Sequence, residues 1–435
     1  MQITKRLPVL VFAIVFAINF SSAQHDHDDH SGHNHETTAV AEGPVHVAES
    51  HEDEHAHACG EHDEHGEYDP AATAIHHISD ANVYSILDKV RIPLPTFLYS
   101  HGKWDIFMSN KFHIGHHEDG HSSYNGYVMH EGSVYKVLDE SFPQEGSVEI
   151  GGFTKKQEMR DGKKIDVVYA CYNGTPLKCD SRTTLDGGIL GGGITSFYDF
   201  SISKNVLAML LVSLLMMWMF LKAAKRYKTD PTLAPSGIQG VLEPLFLFIR
   251  DEVAIPFIGV KKYKKYLPLL MSIFFFILGL NLFGQIPFLG STNVTGNLTV
   301  TMILAILVAI IVNVSGNKDY WQHVFWMPGV PVAVKPLLAV VEVMSLFIKP
   351  LTLMLRLAGN ISAGHIAILS FIGLIFIFGN SGASIGGGAI GTAMAIPLTL
   401  FMMAIELIVA FVQAFVFTIL TASYIGAAIE EHAHH

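Results

Sequence analysis

Apolar residues are scattered through the first 200 positions and then gather into long runs separated by short polar breaks. The first run, "FSISKNVLAMLLVSLLMMWMFL" (200–221), has the roughly 20 residues a helix needs to cross a bilayer, and it stops at Lys222, Lys225, Arg226 and Lys228. The next, "GIQGVLEPLFLFIRDEVAIPFIG" (237–259), is broken by Glu243, Arg250, Asp251 and Glu252. That pattern predicts an amphipathic helix lying at the membrane interface. "LPLLMSIFFFILGLNLFGQIPFL" (267–289) predicts a second crossing, and "LTVTMILAILVAIIVNV" (298–314) a third that returns towards Lys318 and Lys335. A long segment from Pro336 to Phe378 follows, then a glycine-rich loop "GNSGASIGGGAIG" (379–391) and a final long helix from about Thr392. Interior Pro350 and Pro397 predict bends in these last two helices. The predicted fold is an all-α polytopic membrane protein with about five crossings and one interfacial helix.

The region before residue 200 reads differently. "MQITKRLPVLVFAIVFAINFSSAQ" places Lys5 and Arg6 before a short apolar run, with Ser21 and Ala23 at the positions of a cleavage site, so residues 1–23 are predicted to be a secretory signal peptide; a first membrane anchor is the alternative. Residues 24–70 form a His/Asp/Glu-rich tail ("HDHDDHSGHNH", "HEDEHAHACGEHDEH") too polar to bury a core. Residues 71–198 are expected to form a soluble, partly β extension, in which "GSVYKVL" (132–138) and "KIDVVYACY" (164–172) read as strands. Residues 199–435 are the membrane domain.

Composition agrees: 50% of the 435 residues are hydrophobic and 15% charged, and the mean hydropathy is +0.36. The net charge of −11 belongs to the tail, because residues 24–67 contain thirteen acids and no Lys or Arg. There is no basic face for nucleic acid. Lysines cluster in the loops after the first and third spans, while the other two loops carry none. The positive-inside rule then makes the lysine loops cytoplasmic and the N-terminal extension periplasmic, as the signal peptide also requires. Cys171 and Cys179 are candidates for a disulfide in that compartment, leaving Cys59 odd.

Inside the spans the ionisable residues are Glu342, Lys349, Arg356 and His365 on one helix and Glu406 on the next. An arginine at mid-bilayer costs about 2.5–3.5 kcal/mol on insertion scales, and it cannot escape by losing its proton. Intramembrane charges mark ion or proton pathways by default, with structural polar contacts between helices as the alternative. If the last two helices run antiparallel, His365 shares a depth with Glu406, Arg356 with Gln413, and Glu342 with Glu430, in layers about 10–20 Å apart at 1.5 Å per residue. Glu406, Gln413 and Tyr424 fall on one stripe, and Tyr424 also suits an interfacial aromatic. His365 is nine residues from Arg356, half a turn round the helix, so the arginine should face a partner while His365 lines a path on the other side. No carboxylate lies within a turn of Arg356 on its own helix, so its counter-ion is expected from another subunit.

These residues carry a resemblance. "KPLTLMLRLAGNISAG" (349–364), "NVTGNLTVTM" (293–302) and "LIVAFVQAFVFTILTASYI" (407–425) resemble subunit a of the F-type ATP synthase, the stator half of its proton channel, over residues 199–431. The resemblance implies two long tilted helices wrapped against a rotor ring of small hairpin subunits carrying a membrane carboxylate, with a peripheral-stalk subunit and, indirectly, the catalytic sector as further partners. It makes Arg356 the essential charge facing the ring. Glu342, Asn360, His365, Glu406, Gln413 and Tyr424 become proton-path residues, with no metal, no cofactor and no catalysis by this subunit on its own, in a bacterial inner membrane. One departure stands out: glutamate is common at the position of His365 and histidine at that of Glu406, so the two are exchanged here. The N-terminal extension lies outside the resemblance. The rival reading, a divalent metal transporter with a histidine-rich capture tail, needs a cluster of ligands inside the spans; the spans supply one histidine, two separated glutamates and a fixed cation.

Overall fold

The computed structural model describes residues 79–430 except 87–89, 116–117, 161–162, 185–194, 230–233, 287–291, 328 and 380–383. The predicted signal peptide and histidine-rich tail lie outside the described residues.

Ahead of the membrane helices stands an antiparallel β-domain. β1 (Val83–Ile86) and β2 (Val90–Pro93) form a hairpin, and β3 (Pro95–Ser100) and β4 (Lys103–Met108) pair with the late β12 (Tyr198–Asp199) in the order β12-β3-β4. The main sheet holds β5 (Ser122–Tyr124), β6 (Tyr127–His130), β7 (Ser133–Val137), β8 (Ser147–Glu149), β9 (Phe153–Arg160), β10 (Lys163–Tyr172) and β11 (Thr175–Asp180), in the order β8-β5-β6-β7-β11-β10-β9. Tight turns at Asn125–Gly126 and Asn173–Gly174 have positive φ at both residues, the twist that two-residue hairpins prefer. β6 is buried on both faces: Tyr127 and Met129 pack with Leu98 and Phe107 of the small sheet, while Val128 packs with Val137, Ala170 and Leu177. The two strands expected from sequence are present as β7 and β10.

The candidate disulfide is not formed. Cys171 is disulfide-bonded, but Cys179 is a free, buried thiol. The β10–β11 register pairs Cys171 with Pro176, so Cys179 lies three rungs away, on the order of 10 Å, and on the opposite face of the sheet. That exceeds the reach of a disulfide. Burial pushes the Cys179 thiol up to about 12, so it stays protonated and unreactive. Maleimide treatment of the native protein at pH 8 is expected to leave Cys179 unmodified by peptide mass mapping, and denaturation to expose it. An adduct on the folded protein would contradict this burial.

Five helices are long and apolar enough to cross a membrane. In chain order the helical part comprises α1 (Lys204–Thr229), α2 (Ile238–Phe248), a π-helical turn (Ile249–Ala254), α3 (Ile255–Ile258), α4 (Tyr263–Gly284), α5 (Leu298–Ser315), α6 (Lys318–Phe325), α7 (Lys335–Phe378) and α8 (Ile385–Ile429). The five candidate spans are α1, α4, α5, α7 and α8. The segment expected at the interface is α2 to α3: half-exposed Arg250 and exposed Asp251 pair at 2.6 Å, while Ile249, Val253 and Ala254 are buried. α4 is the most enclosed span, with Leu270, Phe274 and Ile277 fully covered. α1 starts under the β-domain, where Lys204 N–H donates to Ala81 O at 2.8 Å and Asn205 N–H to Asp80 Oδ1 at 3.1 Å. Asp80 thus satisfies an orphan donor at the helix start from 125 residues away.

The last hairpin departs from expectation. α8 begins at Ile385, with Ser384 Oγ accepting from Gly387 N–H at 3.1 Å, so the glycines from 386 to 391 are helical rather than loop. A Cβ at Gly391 would come within 2.9 Å of Leu374 O, and one at Gly387 would strike Phe378 O. The glycines therefore trade helix propensity for a backbone-to-backbone approach between α7 and α8. Pro350 and Pro397 both lie within helices that continue past them.

Candidate functional site

α7 and α8 pack along each other antiparallel and carry every candidate residue. On α7, Leu353, Met354, Leu357, Ala358 and Ile361 are buried, while Leu355, Arg356, Gly359 and Asn360 are exposed. This is a helical division into two faces. Arg356 stands on the uncovered face with Asn360 one turn beyond it, and no hydrogen bond or ion pair to its guanidinium is seen among the described residues. Gln413 of α8 is buried, with no hydrogen bond to Arg356; antiparallel register predicts a shared depth but does not set the angle round the helix.

His365 points the other way. Its Nδ1 lies 3.2 Å from Glu406 Oε1, with the two side chains 14% and 4% exposed. The contact has ion-pair distance without hydrogen-bond alignment, since Glu406 Oε1 has no hydrogen-bond partner. Gly364 makes room for it, because a Cβ there would stand 3.1 Å from that same oxygen. The imidazole also reaches α4: a side chain on Gly284 would approach within 3.8 Å of His365 Nε2.

Around this pair the structure assembles polar groups that a survey of ionisable residues passes over. Gln285 donates to the Glu406 carbonyl at 2.9 Å, and Asn281 to the Ala410 carbonyl at 3.1 Å. Thr295 donates to Asn281 Oδ1 at 2.6 Å, and Ser362 to the Gly296 carbonyl at 3.1 Å. Asparagine and glutamine within apolar runs are the signal that marks them, since polar groups in a membrane interior must find partners. Towards the opposite end, a small cavity between α5, α6, α7 and α8 is lined by Asn313, Tyr320, Lys349 and Tyr424. The Lys349 ammonium lies 5.6 Å from the Tyr424 ring centroid, within cation–π range. Tyr320 donates to Asn313 at 3.1 Å, and Glu342 accepts from Ser345 Oγ at 3.3 Å. The site thus has a buried acid–base pair, an arginine on an open face with no ion pair among the described residues, and beyond it a small, mostly apolar cavity edged by a few polar side chains.

Comparison with known proteins gives this arrangement a context. A family model described as ATP synthase A chain matches residues 206–426, and a domain family of unknown function matches residues 73–161. ATP synthase subunit a of Myxococcus xanthus (strain DK1622) is 38% identical over 269 residues, covering 60% of this chain and 84% of the relative. The subunit a of Anaeromyxobacter dehalogenans (strain 2CP-C) is 34% identical over 297 residues, covering 66% and 73%. That of Chlorobium phaeobacteroides (strain DSM 266 / SMG 266 / 2430) is 37% identical over 246 residues, covering 55% and 68%.

Proposed function

The chain belongs to the ATP synthase A chain family and translocates protons as a stator subunit of an F-type ATP synthase, and from that premise we propose how its own residues carry the proton. The observation that carries the proposal is Arg356 on the open face of α7, the least enclosed of the five spans, with no ion pair among the described residues. That face receives the rotor ring, and the ring's membrane carboxylate is the counter-ion Arg356 lacks. An acid beside a fixed guanidinium is held ionised, and the same acid in lipid is driven to its neutral form. A ring carboxylate passing between the two places releases one proton and takes up the next. Asn360, on the same face, and Gln413, at the same depth on α8, help orient the carboxylate. The fixed cation repels a proton that would leak straight through.

Protons reach the ring from the periplasmic side past His365 and Glu406 and leave on the cytoplasmic side past Tyr424 and Glu342. The orientation follows from the lysines that close α1 and open α4, α6 and α7, and it makes the β-domain periplasmic. Each charge crossing releases about 2.3 kcal/mol per 100 mV, so several are needed per ATP. The subunit supplies a path and leaves ATP chemistry to the catalytic sector; a peripheral-stalk subunit holds it against the ring's torque. The metal-transport reading gains no support, since the spans align with a proton-translocating family.

The exchange of residue types at His365 and Glu406 supplies a test of the uptake path. His365→Glu alone sets two acids together, and Glu406→His alone sets two bases together; each is expected to slow ATP-driven acidification of inverted vesicles by about tenfold, the scale on which a positioned proton relay acts. The double exchange restores one acid and one base and is expected to recover much of the rate. Strictly additive losses in this cycle would remove the pair from the path.

A further inference from the structure

An antiparallel sheet in a soluble domain ordinarily buries one face and offers polar residues on the other. The small sheet β12-β3-β4 does not. Its inner positions, Leu98 and Phe107, are buried against the main sheet. Its outer positions on β4 are Trp104, Ile106 and Met108, which are 56%, 66% and 41% exposed. In register with them on β3 stand Tyr99 opposite Trp104 and Phe97 opposite Ile106, and Tyr198 of β12 pairs with Tyr99. No charged residue interrupts this face. The rings contact one another: Tyr99–Trp104 centroids are 5.0 Å apart, Trp104–Phe200 5.4 Å and Tyr99–Tyr198 6.4 Å.

The position of the face says what covers it. β12 runs straight into α1, with Phe200 N–H donating to Phe97 O at 2.9 Å and Ile202 N–H to Pro95 O at 3.1 Å. Lys222 ends the apolar run of α1, and the roughly 20 residues that span a 30 Å hydrocarbon layer, counted back from it, reach Ile202. Phe200 then lies about 7 Å beyond the hydrocarbon edge at about 3.3 Å per extended residue, at headgroup depth. Tryptophan and tyrosine are the residues that favour this layer, where one end of the ring is apolar and the other wet.

We propose that the outer face of β12-β3-β4 lies in the headgroup layer of the membrane that α1 crosses, so that the β-domain rests on the lipid surface and is not suspended above it. The proposal needs only that α1 spans the bilayer, and is independent of the roles given to Arg356, His365 and Glu406. Continuity with a membrane-spanning helix favours lipid over a protein partner as the occupant.

Photocrosslinking in native membranes tests this with the full chain in its complex. A benzophenone amino acid is placed at Trp104 or Ile106, and at Met159 as the control, since Met159 is 70% exposed on β9, outside the small sheet. Phospholipid adducts, identified by mass, are expected at 104 and 106 and several-fold less at 159. Ile106→Asp is expected to lower the lipid adduct at 104 without loss of ATP-driven pumping. Protein adducts alone at 104 and 106, absence of adducts there, or equal lipid labelling at all three positions would overturn the proposal.

Discussion

Inverted vesicles carrying Arg356→Ala are expected to hydrolyse ATP without building a proton gradient, although the subunit inserts and assembles. Among the described residues the guanidinium makes no hydrogen bond or ion pair that alanine would break, so insertion has little to lose; removing a mid-membrane charge makes it easier. What disappears is the fixed cation halfway along the exposed face of α7. Without it a ring carboxylate has no reason to ionise opposite the stator, and nothing repels a proton passing directly between the two paths. Loss should approach completeness, at least a hundredfold by the scale of removing a preorganised charge, about 3 kcal/mol. Arg356→Lys should recover little, because an ammonium lacks the planar fork and loses its proton when buried. Acridine-dye quenching, with ATP hydrolysis read in parallel, checks both variants, and normal pumping by the alanine form would end the assignment.

Gly426→Val should remove the assembled complex from the membrane. Gly426 lies near the end of α8, and a Cβ there would land on the Phe257 carbonyl oxygen of α3. That obstacle is backbone and cannot rotate aside as a flexible side chain would. Overpacking typically costs about 1–3 kcal/mol where side chains can yield, and here α3 must move away from α8. Gly240→Ala is the matched control, because its nearest neighbour, Pro235 O, would be at an ordinary 3.7 Å. Native gels should show intact complex for Gly240→Ala and little for Gly426→Val; equal amounts would mean that α3 shifts at no cost.

The membrane spans were legible because the apolar run is the physical requirement for crossing, and α5 follows its run to within a residue. The pairing of His365 with Glu406 was legible for a similar reason: antiparallel helices with a constant rise fix relative depth. The angle round the helix is set by side-chain packing, and there the reading of Gln413 gave a depth and no contact. The start of α8 was hidden because a glycine run favours a loop by propensity, and only the nearby carbonyls of α7 make those glycines a helical contact surface. Asn281 and Gln285 are less legible because they carry no charge, although amides between spans also need partners. In the β-domain most strands are six residues or shorter and leave little pattern in the sequence; β7 and β10 are legible from their apolar alternation between glycine-rich turns, whereas the others are not.

The β-domain is fastened to the start of α1, and α1 packs mainly on α2 and α4, whereas the helices proposed to face the ring are α7 and α8. A load applied to the domain enters through a helix that does not form the bearing surface. It would be felt as reaction torque on the fixed frame and not as friction at the turning interface, so mass or grip could be added at this end of the subunit without braking the rotor.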